Sequence, residues 1–469
     1  MQGHVNIAAV ALGGWLAVAC NQPEPAVDLG QADVTEESGA RGAITWHGDV
    51  AAIFADNCII CHESGGLMEA IDLHEYSDAQ LWRGRIGEMV ADRGMPPFPA
   101  DSSDECAQPW GFQHDRRMSD QEIATVLAWV EDGGPEGDRA DAAVYTAPEE
   151  IHLDRVDMTL RLPEPQYVPP VAEIPDTVMC FILDPELEET GYLVGMETVV
   201  DNRKVLHHVG NYLSDRDYVE EQDIELDGVD DGRFPCPNMG GVGEPIGGYV
   251  PGVLPLITPD GSGIEVTPDK VFLASVHYHG IETEQQDNTS FQFKWAAEVP
   301  EKRALTLKSL TSHDADHGLL PGPNDPTTAP EFFIPAGESW HTESMYWEAS
   351  GDTNRTIYSI LGHMHLVGTH MRISIERADG SQGPCLLEIP RWDFDWQLFY
   401  TLGDGFQKPV IQPGDRILIE CTYDNTMNNP GVVRLLEEAG LDEPQDTLLG
   451  LGSADEMCEM VIGVVEEPI

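Results

Sequence analysis

Apolar positions in this chain follow two rhythms. Between residues 45 and 138 they recur at helical spacing: the stretch 49–55 reads as a short helix, and Ile123, Val126, Leu127 and Val130 mark one face of another. The start of that second helix is written in Ser119-Asp120-Gln121-Glu122, which has the form of a capping box, and its stop in Gly133-Gly134-Pro135. Beyond residue 175 the pattern changes to short β-type runs at 178–183, 204–213, 271–278, 291–296, 355–361, 371–376, 415–423 and 460–465, separated by Gly, Pro, Asp and Asn. Such runs predict antiparallel sheets packed face to face, and roughly 300 residues suffice for two sandwiches.

The chain therefore divides into a small all-α domain at 45–138, an acidic, Pro-bearing linker at 139–174, and two all-β antiparallel, jelly-roll-like sandwiches at 175–300 and 301–469. Ahead of these, the apolar run 7–19 is too short to span a bilayer and fits a signal-peptide core within residues 1–20, with an acidic tether following at 21–44. Ala17-Val18-Ala19-Cys20 resembles a bacterial lipoprotein cleavage box, which would place a lipid on Cys20 and tether an exported protein to a membrane, in the periplasm or at the cell surface. Export also permits disulfides among the nine cysteines.

The charge narrows the choice of partners. With 83 Asp+Glu against 25 Lys+Arg, a net charge of -58 excludes nucleic acid, whose phosphates demand clustered cations. It suits a solvated surface in a salty exterior or the steering of basic redox partners.

Candidate chemistry begins at Cys58-Ile59-Ile60-Cys61-His62. Covalent haem attachment needs two thiols for the vinyl groups and an adjacent histidine for the iron, and Cys58, Cys61 and His62 supply them. A zinc half-site or a disulfide is the competing reading, but no second Cys or His pair of zinc spacing follows. The sixth iron ligand would be a thioether: Met95 in Arg93-Gly94-Met95-Pro96-Pro97 is preferred, with Met89 and Met118 as rivals. The region resembles the small one-haem cytochrome c modules of bacterial exported proteins. Cys106 has no assigned role.

The histidines after residue 175 cluster inside apolar runs: Leu206-His207-His208-Val209, Val276-His277-Tyr278-His279 and Gly362-His363-Met364-His365. Strand residues two apart share a face, so His363 and His365 can address one ion; adjacent His207 and His208 can do so only where the strand bends or bulges. Two imidazoles with a thioether favour copper over zinc. His279 and His370 are read as supporting partners or bystanders, and 391–397 as a structural strand with aromatics on one face.

From about 175 to 467 the chain is similar to the type II copper, ascorbate-dependent monooxygenases, the family of peptidylglycine α-hydroxylating monooxygenase and dopamine β-hydroxylase. The resemblance implies a first copper on His207, His208 and His277, and a second on His363, His365 and Met457 of Ser453-Ala454-Asp455-Glu456-Met457-Cys458. It implies a disulfide Cys421–Cys458. Cys180 also matches a bridged cysteine, but its family partner is missing, so that bridge is either lost or rewired to Cys236 or Cys385. Leu361, Glu459 and Val461 stand where the peptide-amidating enzymes carry substrate-binding Arg, Asn and Tyr, so a glycine-extended peptide is a poor substrate candidate.

Together these expectations describe an exported enzyme with two copper ions and one haem c, taking a small-molecule substrate, O2 and a one-electron donor, either ascorbate-like or a redox protein. His363, His365 and Met457 would be catalytic, and the fused haem would relay electrons. The alternative is a copper and haem electron-transfer or copper-binding protein without oxygenase activity.

Overall fold

The strand Glu459–Glu466 explains the architecture. It is almost uniformly apolar, and every residue from Glu459 to Val465 is buried, so both its faces are covered. It pairs antiparallel with Lys302–Lys308 on one side and Arg355–His363 on the other, inside a ten-stranded sheet. Alternate side chains enter different cores. Ile462 and Val464 join Leu307, Ile357 and Ile360 in one, whereas Val465 joins Ala304 and Tyr358 in the other.

The two sandwiches thus share a sheet. Its first part is covered by five strands in the order Arg233–Pro235, Asp176–Leu183, Lys270–His279, Leu206–Asp215 and Glu244–Tyr249; its second by Ser339–Glu348, Arg416–Asp424, Gly368–Glu376 and Gln382–Ile389. Lys302–Lys308 joins the halves, because it pairs parallel with Ser262–Val266 as well as antiparallel with Glu459–Glu466. All eight runs singled out by apolar pattern fall on strands, overrunning them by at most two residues at an end.

The computed structural model describes residues 43–142, 151–236, 243–308, 318–325 and 329–466, apart from 64–67, 69, 70, 173, 175, 451 and 453. The signal-peptide, tether and Cys20 assignments lie outside these residues, save the last two tether positions. Among those described, no helix is long and apolar enough to cross a membrane. Part of the stretch expected to be a linker is sheet: Met158–Arg161 pairs with Ser290–Trp295, and Met158 and Leu160 pack against the first core.

Helices occur where the spacing indicated, at Ala51–Asn57, preceded by a π-turn Trp46–Val50, and at Asp120–Glu131. Ser119 caps the latter as expected, accepting from the Glu122 N–H at 3.2 Å while its own N–H donates to the Glu122 carboxylate at 2.7 Å. A further helix, Tyr76–Ala91, has no strong apolar stripe to announce it. It packs through Gly87, where a Cβ would stand 2.9 Å from Val130 Cγ1. Trp46, Phe54 and Trp129 form the centre of this helical core.

The helical segment is stapled to the second sandwich. Phe98, Trp110 and Phe112 insert into that sandwich's core, the Asp101 N–H donates to Glu388 O at 3.0 Å, and Cys106 is disulfide-bonded to Cys385. The bridge gives Cys106 its role and leaves Cys236 as the partner of Cys180. Cys421 and Cys458 form the third bridge.

Candidate metal centres

A flat strand would send His207 and His208 to opposite faces. The pairing of Leu206–Asp215 with Lys270–His279 is not flat: His277 opposes His208 and Tyr278 opposes Leu206, which leaves His207 as the extra residue of a bulge. His207 Nδ1 is 3.1 Å from His208 Nδ1, His277 Nδ1 is 3.4 Å from the same atom, and one nitrogen of each ring lies within 4.8 Å of the others. Buried Tyr278 anchors the neighbouring turn, its hydroxyl donating to Asp287 at 2.9 Å. A neutral imidazole has one N–H and one lone pair, so three converging nitrogens cannot satisfy one another fully, while a soft or borderline cation would collect all three lone pairs. The donor set fits copper.

The second cluster forms where a strand ends. Arg355–His363 stops at His363, Met364 turns into the core, and His365 returns beside His363 with ring centroids 5.1 Å apart. His363 Nδ1 meets Gln397 Oε1 at 2.6 Å and His365 Nδ1 meets Asp455 O at 2.9 Å. Both acceptors select the Nδ1–H tautomer and leave Nε2 as the lone-pair atom. Burial, reinforced by His365, holds His363 down to about 3, and burial also lowers His365, so both rings are neutral at neutral pH.

Met457 is held three ways. Its N–H donates to Glu456 Oε2 at 3.1 Å, its carbonyl accepts from the Tyr423 hydroxyl at 2.8 Å, and Cys458 beside it is bridged to Cys421. The Glu456 carboxylate is fully buried and also accepts the N–H groups of His365 at 2.8 Å and Val367 at 2.7 Å. Burial raises it to about 7, against the opposing pull of these backbone donors. One carboxylate therefore ties the histidine turn to the methionine segment.

Residues 327–463 match the C-terminal domain of the copper type II ascorbate-dependent monooxygenases. This segment contains His363, His365 and Met457, and the family's copper dependence agrees with the two imidazoles and thioether found there. The solved structures compared with the chain include the infectious bursal disease virus VP2 subviral particle, at 10% identity over 66% of this chain and 70% of that one with a TM-score of 0.18. They also include peptide-N(4)-(N-acetyl-β-D-glucosaminyl) asparagine amidase, at 9% identity over 69% and 94% with a TM-score of 0.17. Both scores are too low to relate either fold to this one.

Within the monooxygenase-like segment, 391–397 is not the strand expected from its alternating aromatics. Asp393 accepts the Asp395 N–H at 3.0 Å and turns the chain into a loop over the second histidine pair. Gln397 meets His363, Trp392 Nε1 donates to His365 O at 2.9 Å, and the Phe394 ring stands edge-on to His365. Sequence reasoning assigned neither Gln397 nor Glu456 a role: Gln397 belongs to no metal motif, and Glu456 stands in the segment 453–458 only as the neighbour of Met457. His370 pairs with Glu388 at 3.3 Å, and His279 is exposed at its strand end. Buried Glu459 lies 3.8 Å from Lys308 Nζ.

In the helical segment, Cys58–His62 forms a turn in which His62 Nδ1 meets Ile71 O at 2.9 Å, again leaving Nε2 as the lone-pair atom. The other six described cysteines are paired, while Cys58 and Cys61 are free thiols. Burial, with Cys61 beside it, pushes Cys58 up to about 12. These residues fit a thioether-linked haem. Half-buried Met95 lines a small cleft together with Met118, which is itself buried in the helical core that Cys58 borders. A larger cleft of about 420 Å³ is walled by Cys61 and Arg116 from the helical segment, Tyr249 from the first sandwich, and Tyr358, Trp396 and Leu398 from the second.

Proposed function

We propose that this chain is an exported, copper-dependent monooxygenase that hydroxylates a C–H bond of a small molecule with O2, fed with electrons through a c-type haem fused at its N-terminal side. The observation that carries the reading is the link between Glu456, His365 and Met457 inside the segment that matches the monooxygenase family. A general copper store has no need of a thioether held by a disulfide, a tyrosine and a buried carboxylate.

Copper bound by His363, His365 and Met457 would supply O2 chemistry, and copper on His207, His208 and His277 would supply a stored electron. The chain's own groups do the rest. Gln397 and the Asp455 carbonyl hold the Nδ1 protons so that both Nε2 atoms point away from their anchors. Trp392 and Phe394 shield the pair from water. Cys61 of the haem motif and Trp396 and Leu398, the neighbours of Gln397, line one cleft, so a haem held by Cys58, Cys61 and His62 would supply electrons from a segment that shares this cleft with the loop supporting His363. Leu361, Glu459 and Val461 argue for a substrate other than a peptide carboxylate.

The test is anaerobic reduction of the copper-loaded protein, followed by O2 and a panel of apolar and amine substrates, with products read by mass spectrometry. Incorporation of one ¹⁸O atom from ¹⁸O2 is expected. Redox cycling with no oxygenated product would leave the electron-transfer reading instead. Haem relay is tested separately: a Cys58→Ala/Cys61→Ala variant should lose turnover with a protein reductant yet keep it with a small chemical one, and equal turnover with both would remove the relay.

A further inference from the structure

The helix Arg216–Asp227 ends in an arrangement that is costly as it stands. Asp223 and Asp227 are four apart and share a helix face, and Asp231 comes back to them after a left-handed turn at Gly228, with a second left-handed residue, Gly232, directly following it. A carboxylate oxygen from each lies within 4.8 Å of the others. Like charges at this spacing repel, and a helix C-terminus already carries the negative end of the macrodipole. Asp223 is 1% exposed; one of its oxygens accepts the Gly232 N–H at 2.8 Å, while the other, Oδ1, is buried and has no hydrogen-bond partner. Arg233 engages Asp231 from the side at 3.2 Å.

We infer that Asp223, Asp227 and Asp231 form a calcium site. The ion class follows from the donors, which are hard oxygens without nitrogen or sulfur. Oxygens within 4.8 Å of one another can all reach a Ca²⁺ ion at about 2.3–2.6 Å, and Ca²⁺ accepts irregular coordination where Mg²⁺ demands near-octahedral geometry. The site would brace the first sandwich. The helix leaves directly from the strand bearing His207 and His208, and the loop runs into Arg233–Pro235 and Cys236, which is bridged to Cys180 on the neighbouring strand. This inference is independent of the oxygenase reading.

Calorimetric titration of the EGTA-dialysed full chain with CaCl2 in about 0.15 M NaCl tests it, the salt suppressing diffuse binding to the acidic surface. One saturable site per chain is expected, with a higher thermal midpoint when filled. Asp223→Asn and Asp231→Asn should each weaken it at least tenfold, and Asp231 is exposed, so its variant stays informative if the buried one fails to fold. Equal calcium uptake by wild type and the Asp231 variant, or tighter binding of MgCl2 than of CaCl2, would overturn the assignment.

Discussion

The carboxylate of Glu456 accepts the backbone N–H of His365 at 2.8 Å, although the two residues are 91 positions apart. The same group accepts from Met457, so it sets the position of the histidine turn relative to the thioether. Glu456→Gln keeps the shape but turns an amide NH2 toward backbone donors. It is expected to cost about 1–3 kcal/mol in denaturant unfolding, the usual penalty for unsatisfied buried groups, and to weaken copper at this centre by about 10–100-fold. Unchanged copper affinity would show that the carboxylate braces the fold without positioning the ligands.

His208 lies at the middle of the histidine trio, within 3.4 Å of both neighbours by Nδ1. His208→Ala should lower the copper content of the loaded protein from two ions to one per chain, read by elemental analysis. The remaining ion should keep its sulfur ligand in X-ray absorption. Retention of two ions would mean that the trio is not a metal centre.

Cys106 and Cys385 are 279 positions apart and fasten the helical segment to the second sandwich. Cys106→Ala/Cys385→Ala should lower stability by about 2–4 kcal/mol, since the cross-link restricts a long loop in the unfolded chain. Limited proteolysis should then cut more readily between the two parts. An unchanged unfolding midpoint would assign the docking to Phe98, Trp110 and Phe112 alone.

With a net charge of -58, mutual repulsion opposes the compact state at low ionic strength. The thermal midpoint in the presence of EDTA should therefore rise between 10 mM and 500 mM NaCl, where the screening length falls from about 30 Å to a few ångströms. A flat response would mean that pairs such as Arg377–Asp415 and Arg372–Glu388 already compensate the field locally.

Local information determined a good deal here. A strand's two-residue period and a helix's capping box act over a few residues, so the eight β runs and the Ser119 cap could be read directly from the chain. The histidine runs and the Cys58–His62 motif were visible for the same reason, as the residues within each are neighbours in sequence. What only the tertiary structure decided depends on contacts between distant segments: the bulge that brings His207 round beside His208 is set by register with another strand, and Glu456 and Gln397 reach the second centre from 91 and 34 positions away. The shared sheet belongs to the same class. Nothing within Glu459–Glu466 says which partner strands cover its two faces, because an apolar run records that it will be buried but not against what.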